Sequence, residues 1–336
     1  MPEFFASHSA RSPHSTATAS LDPDEETAPG GAKYFLGVDG GGTKTHAVIT
    51  DAYFKVIGEG MSGASNPLRA GLEEAITHIE SAVLQACLNA RIKIKEITAA
   101  CVALAGINHP IHYHTMKDSL DRALRIENLQ LVTDVRAALI GALDSQPGIV
   151  VIAGTGSIAM GMNGSGEEVR SGGWGPTLGD EGSGYDIARR ALKAVAASFD
   201  GRSPQTVLTE RFCRKLGVAS AADLPGVIYN SDSEPVEIAS LAELVSEAAL
   251  EGDPVACEIL EQAGLELGQL AISVIERLGL ERESFLVACV GSVFLAGEPV
   301  LRPFREAVLS VAPGARVGAP LFAPAIGAAK LARVLA

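Results

Sequence analysis

One pattern constrains this chain more than any other. Strand, glycine turn, strand, turn, strand is written twice, once from Tyr34 and once from Gly148. The first copy reads KYFLGVD, a turn at Gly40, Gly41, Gly42 and Thr43, then KTHAVITD and FKVIGEG. The second reads GIVVIAG, a turn through Thr155 and Gly156, SIAMGMN, an Asn163-Gly164 turn and EEVRSGG. Short apolar runs interrupted by glycine predict strands joined by tight turns. The copies share little sequence, so the repeat is one of architecture. Around them lie helical patterns. Leu68, Leu72, Ile76, Ile79, Val83 and Cys87 recur at three- and four-residue spacing and predict one amphipathic helix. ITAACVALAG and LQLVTD predict strands, and VRAALIGAL a helix opening directly after Asp134. After Gly182 helices dominate, including Tyr185 to Ala197 and Pro254 to Leu278, interrupted by a buried strand at Phe285 to Gly291 and closed by PAIGAAKLARVLA. Strands alternating with helices make the chain α/β, and 336 residues exceed what one core usually serves, so two lobes are expected.

Charge and cysteine usage narrow the partners. A formal net charge of −13 argues against nucleic acid or an anionic membrane surface, which require a basic face. An anionic substrate must then be held locally. The five cysteines are odd in number, scattered and set in apolar runs, which fits reduced core thiols in a cytoplasmic protein better than a disulfide framework or a metal site. Residues 1–33 mix Ser, His, Pro and Ala with an acidic DPDEE stretch and read as a flexible tail. No segment has the roughly 20 apolar residues of a membrane span.

The candidate chemistry sits at strand ends. Asp39 precedes Gly40, Gly41, Gly42, Thr43 and Lys44, where bare backbone can approach a phosphate and a carboxylate can hold Mg²⁺ through its waters. Gly154, Thr155, Gly156 and Ser157 offer a second set of amides and hydroxyls. Each turn taken alone also suits a plain hairpin; in tandem they favour a phosphate chain held between two lobes. The dinucleotide fingerprint fails, because Asp39 occupies its second glycine position, and no P-loop lysine motif occurs. Asp134 closes a strand and opens a helix, which suits either a base for an attacking hydroxyl or a helix N-cap. GGWGPTLGDEGSGY places the chain's only Trp, Trp174, in a glycine-flanked loop before Asp180 and Glu181. An aromatic face beside carboxylates suits a sugar ring; a packing anchor and helix-dipole acids are the alternative. Asn66, after Gly63 to Ser65, suits a substrate hydroxyl or acetamido oxygen, or a cap for the next helix. Gly291 and Ser292 end a strand against which an adenine could lie. His109, His112 and His114 read as a solvated loop and not a zinc site.

With these pieces in order, the chain from Tyr34 to Ala336 resembles the N-acetylglucosamine kinase family, in the BadF/BadG/BcrA/BcrD-type group of the actin-like ATPase and sugar kinase superfamily. The resemblance rests on GVDGGGTKT, VTDVRAAL, IAGTGS, GGWGPTLGDEGSGY, CVGSVF and PAIGAAKLA. It implies two actin-like (ribonuclease H-like) lobes, each a mixed five-stranded sheet flanked by helices, closing over a cleft. The lobes would span 34–145 and 146–322, with the closing helix of 323–336 packing back on the first. It further implies that Gly41, Gly42, Thr43, Lys44, Gly154, Thr155 and Gly156 hold ATP, that Ala239, Gly291, Ser292 and Leu295 face the adenosine, and that Asp39 serves Mg²⁺. Asp134 matches the catalytic base and also contacts substrate, with Asn66, Ser157, Ile158, Gly173, Trp174, Gly175 and Asp180 at the sugar. Arg136, Pro176 and Thr177 depart from the family's pattern. The implied activity is an ATP-dependent kinase acting on the 6-hydroxyl of N-acetylglucosamine or a related amino sugar, in a cytoplasmic homodimer. The rivals are a glucosamine or N-acetylmuramic acid kinase, an ATPase activating a 2-hydroxyacyl-CoA dehydratase through an iron–sulfur cluster, and a non-catalytic sugar sensor.

Overall fold

The computed structural model describes residues 33–107, 110–229 and 235–336. The tail assigned to 1–33, apart from Lys33, and His109 lie outside them. Two five-stranded sheets form the scaffold. The first contains β1 (Tyr34–Gly40), β2 (Thr45–Thr50), β3 (Val56–Ser62), β4 (Ile97–Leu104) and β5 (Leu129–Thr133), in the order β3-β2-β1-β4-β5. The second contains β6 (Gly148–Ala153), β7 (Ser157–Met162), β8 (Glu168–Gly172), β9 (Leu286–Val290) and β10 (Arg316–Gly318), in the order β10-β9-β6-β7-β8. In each, the glycine-turn meander is antiparallel and the two later strands add in parallel beside its first strand. The two sheets therefore have one topology, read twice.

Parallel strands need crossover helices, and those helices bury the central strands on both faces. This is why β1 and β4 are near-continuous apolar runs. The helices are α1 (Pro67–Ala70), α2 (Leu72–Ala90), α3 (Pro110–Leu124) and α4 (Asp134–Leu143). Later come α5 (Gly184–Phe199), α6 (Leu208–Leu216), α7 (Leu224–Ile228), α8 (Pro235–Ala239), α9 (Ala242–Leu250), α10 (Pro254–Leu278), α11 (Glu298–Val311) and α12 (Pro324–Arg333). The single amphipathic helix predicted from Leu68 is broken. Gly71 takes φ +81, a conformation that interrupts helical hydrogen bonding, so Leu68 falls in a separate turn and is exposed, whereas Ile79, Val83 and Cys87 are buried.

Helix α4 joins the two sheets, and α12 packs on α4 and on the first sheet. Helix α4 lays Leu139, Ala142 and Leu143 against Val150, Leu286 and Ala288 of the second sheet. Its Ala137 also packs with Ala325, Ala328, Ala329 and Ala332 of α12 and with Phe35, Ala99 and Cys101 of the first sheet. Small residues let α12 approach almost backbone to backbone. A Cβ on Gly37 would stand 2.0 Å from the Ala325 carbonyl oxygen, so β1 accepts α12 only with glycine there. The closing helix thus packs on the first sheet, although it follows the second in sequence. Lys330 fastens it: its ammonium pairs with Asp144 just after α4 and lies 4.4 Å from the Phe54 ring and 4.5 Å from the Phe322 ring. No helix among the described residues is long and apolar enough to cross a membrane.

Candidate active site

Parallel pairing brings Asp39 and Asp134 to one edge. Asp39 pairs with Ala103 of β4, and Leu104 pairs with Thr133, the residue before Asp134. The two carboxylates thus leave the carboxyl ends of strands separated only by β4. Burial raises the Asp39 pKa to about 6, with the neighbouring Asp134 charge adding to the rise and His46 and Lys44 opposing it. Burial also pushes the Asp134 carboxyl above the usual range, against the Val135 N–H, which favours the ion. The N-cap position of α4 belongs to Thr133, whose side chain makes no cap bond, and Asp134 is the first helical residue. A half-shielded carboxylate with a raised pKa is suited to taking a proton near neutral pH.

Each glycine turn is tied to a segment that the resemblance assigns to the sugar. In the first, the Gly41 carbonyl accepts the N–H groups of both Ser65 and Asn66, each at 3.0 Å. Thr45 Oγ1 reaches the Gly63 carbonyl at 2.7 Å and Ser65 Oγ at 2.8 Å, fixing the same segment from beneath. Asn66 does cap α1, its Oδ1 accepting from Leu68 N–H at 3.0 Å. In the second turn, Gly154 O accepts Gly184 N–H at 2.8 Å and Thr155 O accepts Tyr185 N–H at 3.3 Å, so the start of α5 holds the turn. Asp180, buried and at φ +62, accepts Ser157 N–H at 3.3 Å, while Ser157 Oγ donates to the Glu181 carbonyl at 2.7 Å. Burial raises the Asp180 pKa despite that hydrogen bond. The Ser157 hydroxyl is thus used within the protein, as a strut between turn and loop.

The turns also leave donors over. Among the described residues, the N–H groups of Gly42, Thr43, Thr155 and Gly156 meet no backbone acceptor in the turns, and the Thr43, Lys44 and Thr155 side chains are exposed. Such unpaired amides fit an anion. Beside the second turn lies a cavity of about 510 Å³, lined by Gly154, Thr155, Ala239, Ser292 and Leu295 and, with no motif to announce them, by Glu243 and Ser246 of α9. Its size suits a nucleoside. Gly291 holds φ +109 with a would-be Cβ 2.2 Å from the Ala153 oxygen, so its glycine serves the packing of β9 on β6 and lets Ser292 turn into the cavity wall. These features fit ATP. For Mg²⁺, Asp39 is the carboxylate at the phosphate turn, with Asp134 beside it, and the described residues contain no cluster of three or more metal-ligating side chains. A cation there would draw its remaining ligands from phosphate oxygens and water.

The loop after β8 is open. Gly173 N–H bonds the Ser157 carbonyl at 2.9 Å, and a Cβ on Gly173 would press on Ile158, which seats the start of the loop on β7. Beyond it Trp174 is 64% exposed, with the Arg170 guanidinium 5.1 Å from its ring, so this Trp is no packing anchor. Gly175, Pro176 and Thr177 continue the same loop. Arg136, near the head of α4, pairs with Glu168 at the start of β8 at 3.1 Å, a tie between the linking helix and the second sheet. His112 and His114 lie on α3. All five cysteines are free; burial pushes Cys101 and Cys289 up to about 12, so neither is a thiolate at neutral pH.

Twin sheets joined through α4, a glycine turn on each, and a carboxylate at the end of β1 beside another at the head of α4 define the two-sheet sugar kinase of the actin-like ATPase class. The family described as BadF/BadG/BcrA/BcrD ATPase matches residues 36–332, and the chain belongs to it. It is 37% identical over 227 residues to the N-acetylmuramic acid/N-acetylglucosamine kinase of Clostridium acetobutylicum, covering 68% of this chain and 74% of that one. It is 31% identical over 232 residues to the N-acetyl-D-glucosamine kinase of Dictyostelium discoideum, covering 66% and 73%. A Chromobacterium violaceum crystal structure, provisionally named an N-acetylglucosamine kinase, superposes with TM-score 0.74 and 29% identity over 89% of this chain and 98% of that one.

Proposed function

We propose that this ATP-dependent amino-sugar kinase transfers the γ-phosphoryl group to the 6-hydroxyl of N-acetylglucosamine, with Asp134 as base and with Asp39 holding Mg²⁺. The observation that carries the reading is the shared position of Asp39 and Asp134 at one sheet edge, both with raised pKa, beside a glycine turn with unused N–H groups. The sugar's hydroxyl oxygen attacks the γ-phosphorus, its proton passes to Asp134, and the bond to the β–γ bridging oxygen breaks to release ADP. Gly41 to Lys44 and Gly154 to Gly156 hold the phosphates; Ala239, Gly291, Ser292 and Leu295 face the adenosine. Bound Mg²⁺ would supply neutralisation of phosphate charge. Asn66, Ser157, Ile158, Gly173 to Gly175 and Asp180 orient the sugar, the exposed Trp174 closing over its ring and excluding water. In this reading the lobes are 34–145 with 323–336, and 146–322, and the enzyme works as a cytoplasmic homodimer.

The test is coupled ADP release with a panel of N-acetylglucosamine, glucosamine and N-acetylmuramic acid, the last included because the Clostridium relative is named for it. N-acetylglucosamine should raise turnover well above the basal rate, with phosphorus NMR placing the product's phosphate on the 6-oxygen. Asp134→Asn should lower kcat by about 10²- to 10⁴-fold. If no sugar raises turnover, the substrate assignment is lost; full activity of the variant removes the base.

A further inference from the structure

The first glycine turn carries a second, less obvious contact. The place a Cβ would occupy on Gly42 lies 2.9 Å from Arg69 Nη1, 3.3 Å from its Cδ and 3.9 Å from its Cζ. The guanidinium therefore rests against the turn at the residue whose N–H, with that of Thr43, has no backbone acceptor there. Arg69 stands three residues after Asn66, on the segment whose Ser65 and Asn66 N–H groups are bonded to Gly41. A cation is thus fixed between the turn assigned to phosphate and the residue assigned to sugar, in a chain of net charge −13. Guanidinium presents a planar fork of donors matched to phosphate oxygens, and an arginine placed at a transferring phosphoryl group stabilises its charge. We infer that Arg69 contacts the terminal phosphate of the nucleotide, completing with the Gly42 and Thr43 amides a cradle for the group being transferred. The inference rests on the assignment of that turn to ATP. Any side chain at position 42 would push Arg69 aside, which gives Gly42 a purpose beyond its backbone.

The test compares wild type with Arg69→Ala and Arg69→Lys, in the presence of N-acetylglucosamine. Calorimetry measures binding of a non-hydrolysable ATP analogue and of ADP. Contact with the terminal phosphate predicts that Arg69→Ala loses about tenfold or more in analogue affinity, the scale of a charged hydrogen bond, with ADP affinity within about threefold. In turnover, kcat should fall by about 10²-fold with the sugar KM little changed, Arg69→Lys should retain an intermediate value, and added guanidinium should partly restore the Ala variant. Arg69 is on a four-residue surface helix, so the fold should survive either change. If analogue and ADP binding fall together or neither falls, the terminal-phosphate contact is overturned. Asp134→Asn, run alongside, separates the failures. An inactive Asp134→Asn beside an unaltered Arg69→Ala removes Arg69 alone, whereas a fully active Asp134→Asn removes the site assignment itself.

Discussion

Asp39→Asn should make the ligand-free protein more stable while disabling it. The folded protein raises this carboxyl from 3.8 to about 6, mainly through burial and then through Asp134. An acid whose pKa is raised by folding holds its proton more tightly folded than unfolded. Its contribution to stability is full below about pH 4 and is lost as pH rises through about 6. At about 1.4 kcal/mol per pH unit, the displacement from 3.8 to about 6 costs about 3 kcal/mol at neutral pH, an upper limit because the carboxyl retains some contact with water. Asparagine keeps the shape and cannot ionise, so it removes that cost. The assay is chemical denaturation of metal-free wild type and variant between pH 4 and pH 8. The variant should be more stable by about 1–3 kcal/mol at pH 7.5, with the difference shrinking toward zero near pH 4. A variant that is less stable at pH 7.5, or a difference that does not change with pH, would refute the account of Asp39 as a strained, electrostatically frustrated carboxylate. Stability given up at one residue is what a site built to receive a cation and phosphates should show.

Two further outcomes follow from the packing. Trp174→Ala should leave stability within about 0.5 kcal/mol, since the ring is exposed, while raising the sugar KM by about tenfold with ADP affinity unchanged; a large loss of Tm would mean the ring packs after all. Gly37→Ala should destabilise by about 3 kcal/mol or more, measured by urea unfolding, because its methyl would meet the Ala325 carbonyl at 2.0 Å and force α12 off β1. A near-neutral result would show that α12 is held by Lys330 and not by close packing.

What local chemistry writes into neighbouring residues is legible in the sequence alone. The doubled meander, the glycine turns and the helix at Pro254–Leu278 follow from period and punctuation, which depend on residues a few positions apart. Where a single backbone angle decides the matter, spacing misleads: the apolar period runs through Leu68, but Gly71 breaks the helix. The candidate site divides the same way. Asp39, Asp134 and the Trp174 loop were marked by their places at strand ends and among glycines. Glu243 and Ser246 in the cavity wall were not, because α9 carries no motif and meets the second turn only through the fold.

The sequence by itself determined where the chain turns without side chains, that an anion would need a local cradle in so acidic a protein, and nine of the ten strands among the described residues, all but the three-residue β10. Only tertiary structure decided that α12 returns to β1, that Asp134 lies near enough to Asp39 to raise its pKa, and that Gly41 is bonded to Ser65 and Asn66. It likewise set Arg69 against Gly42. These are desolvation, charge–charge and hydrogen-bond relations between residues distant in the chain. They leave no periodic trace, since they exist only once the sheets have closed around them.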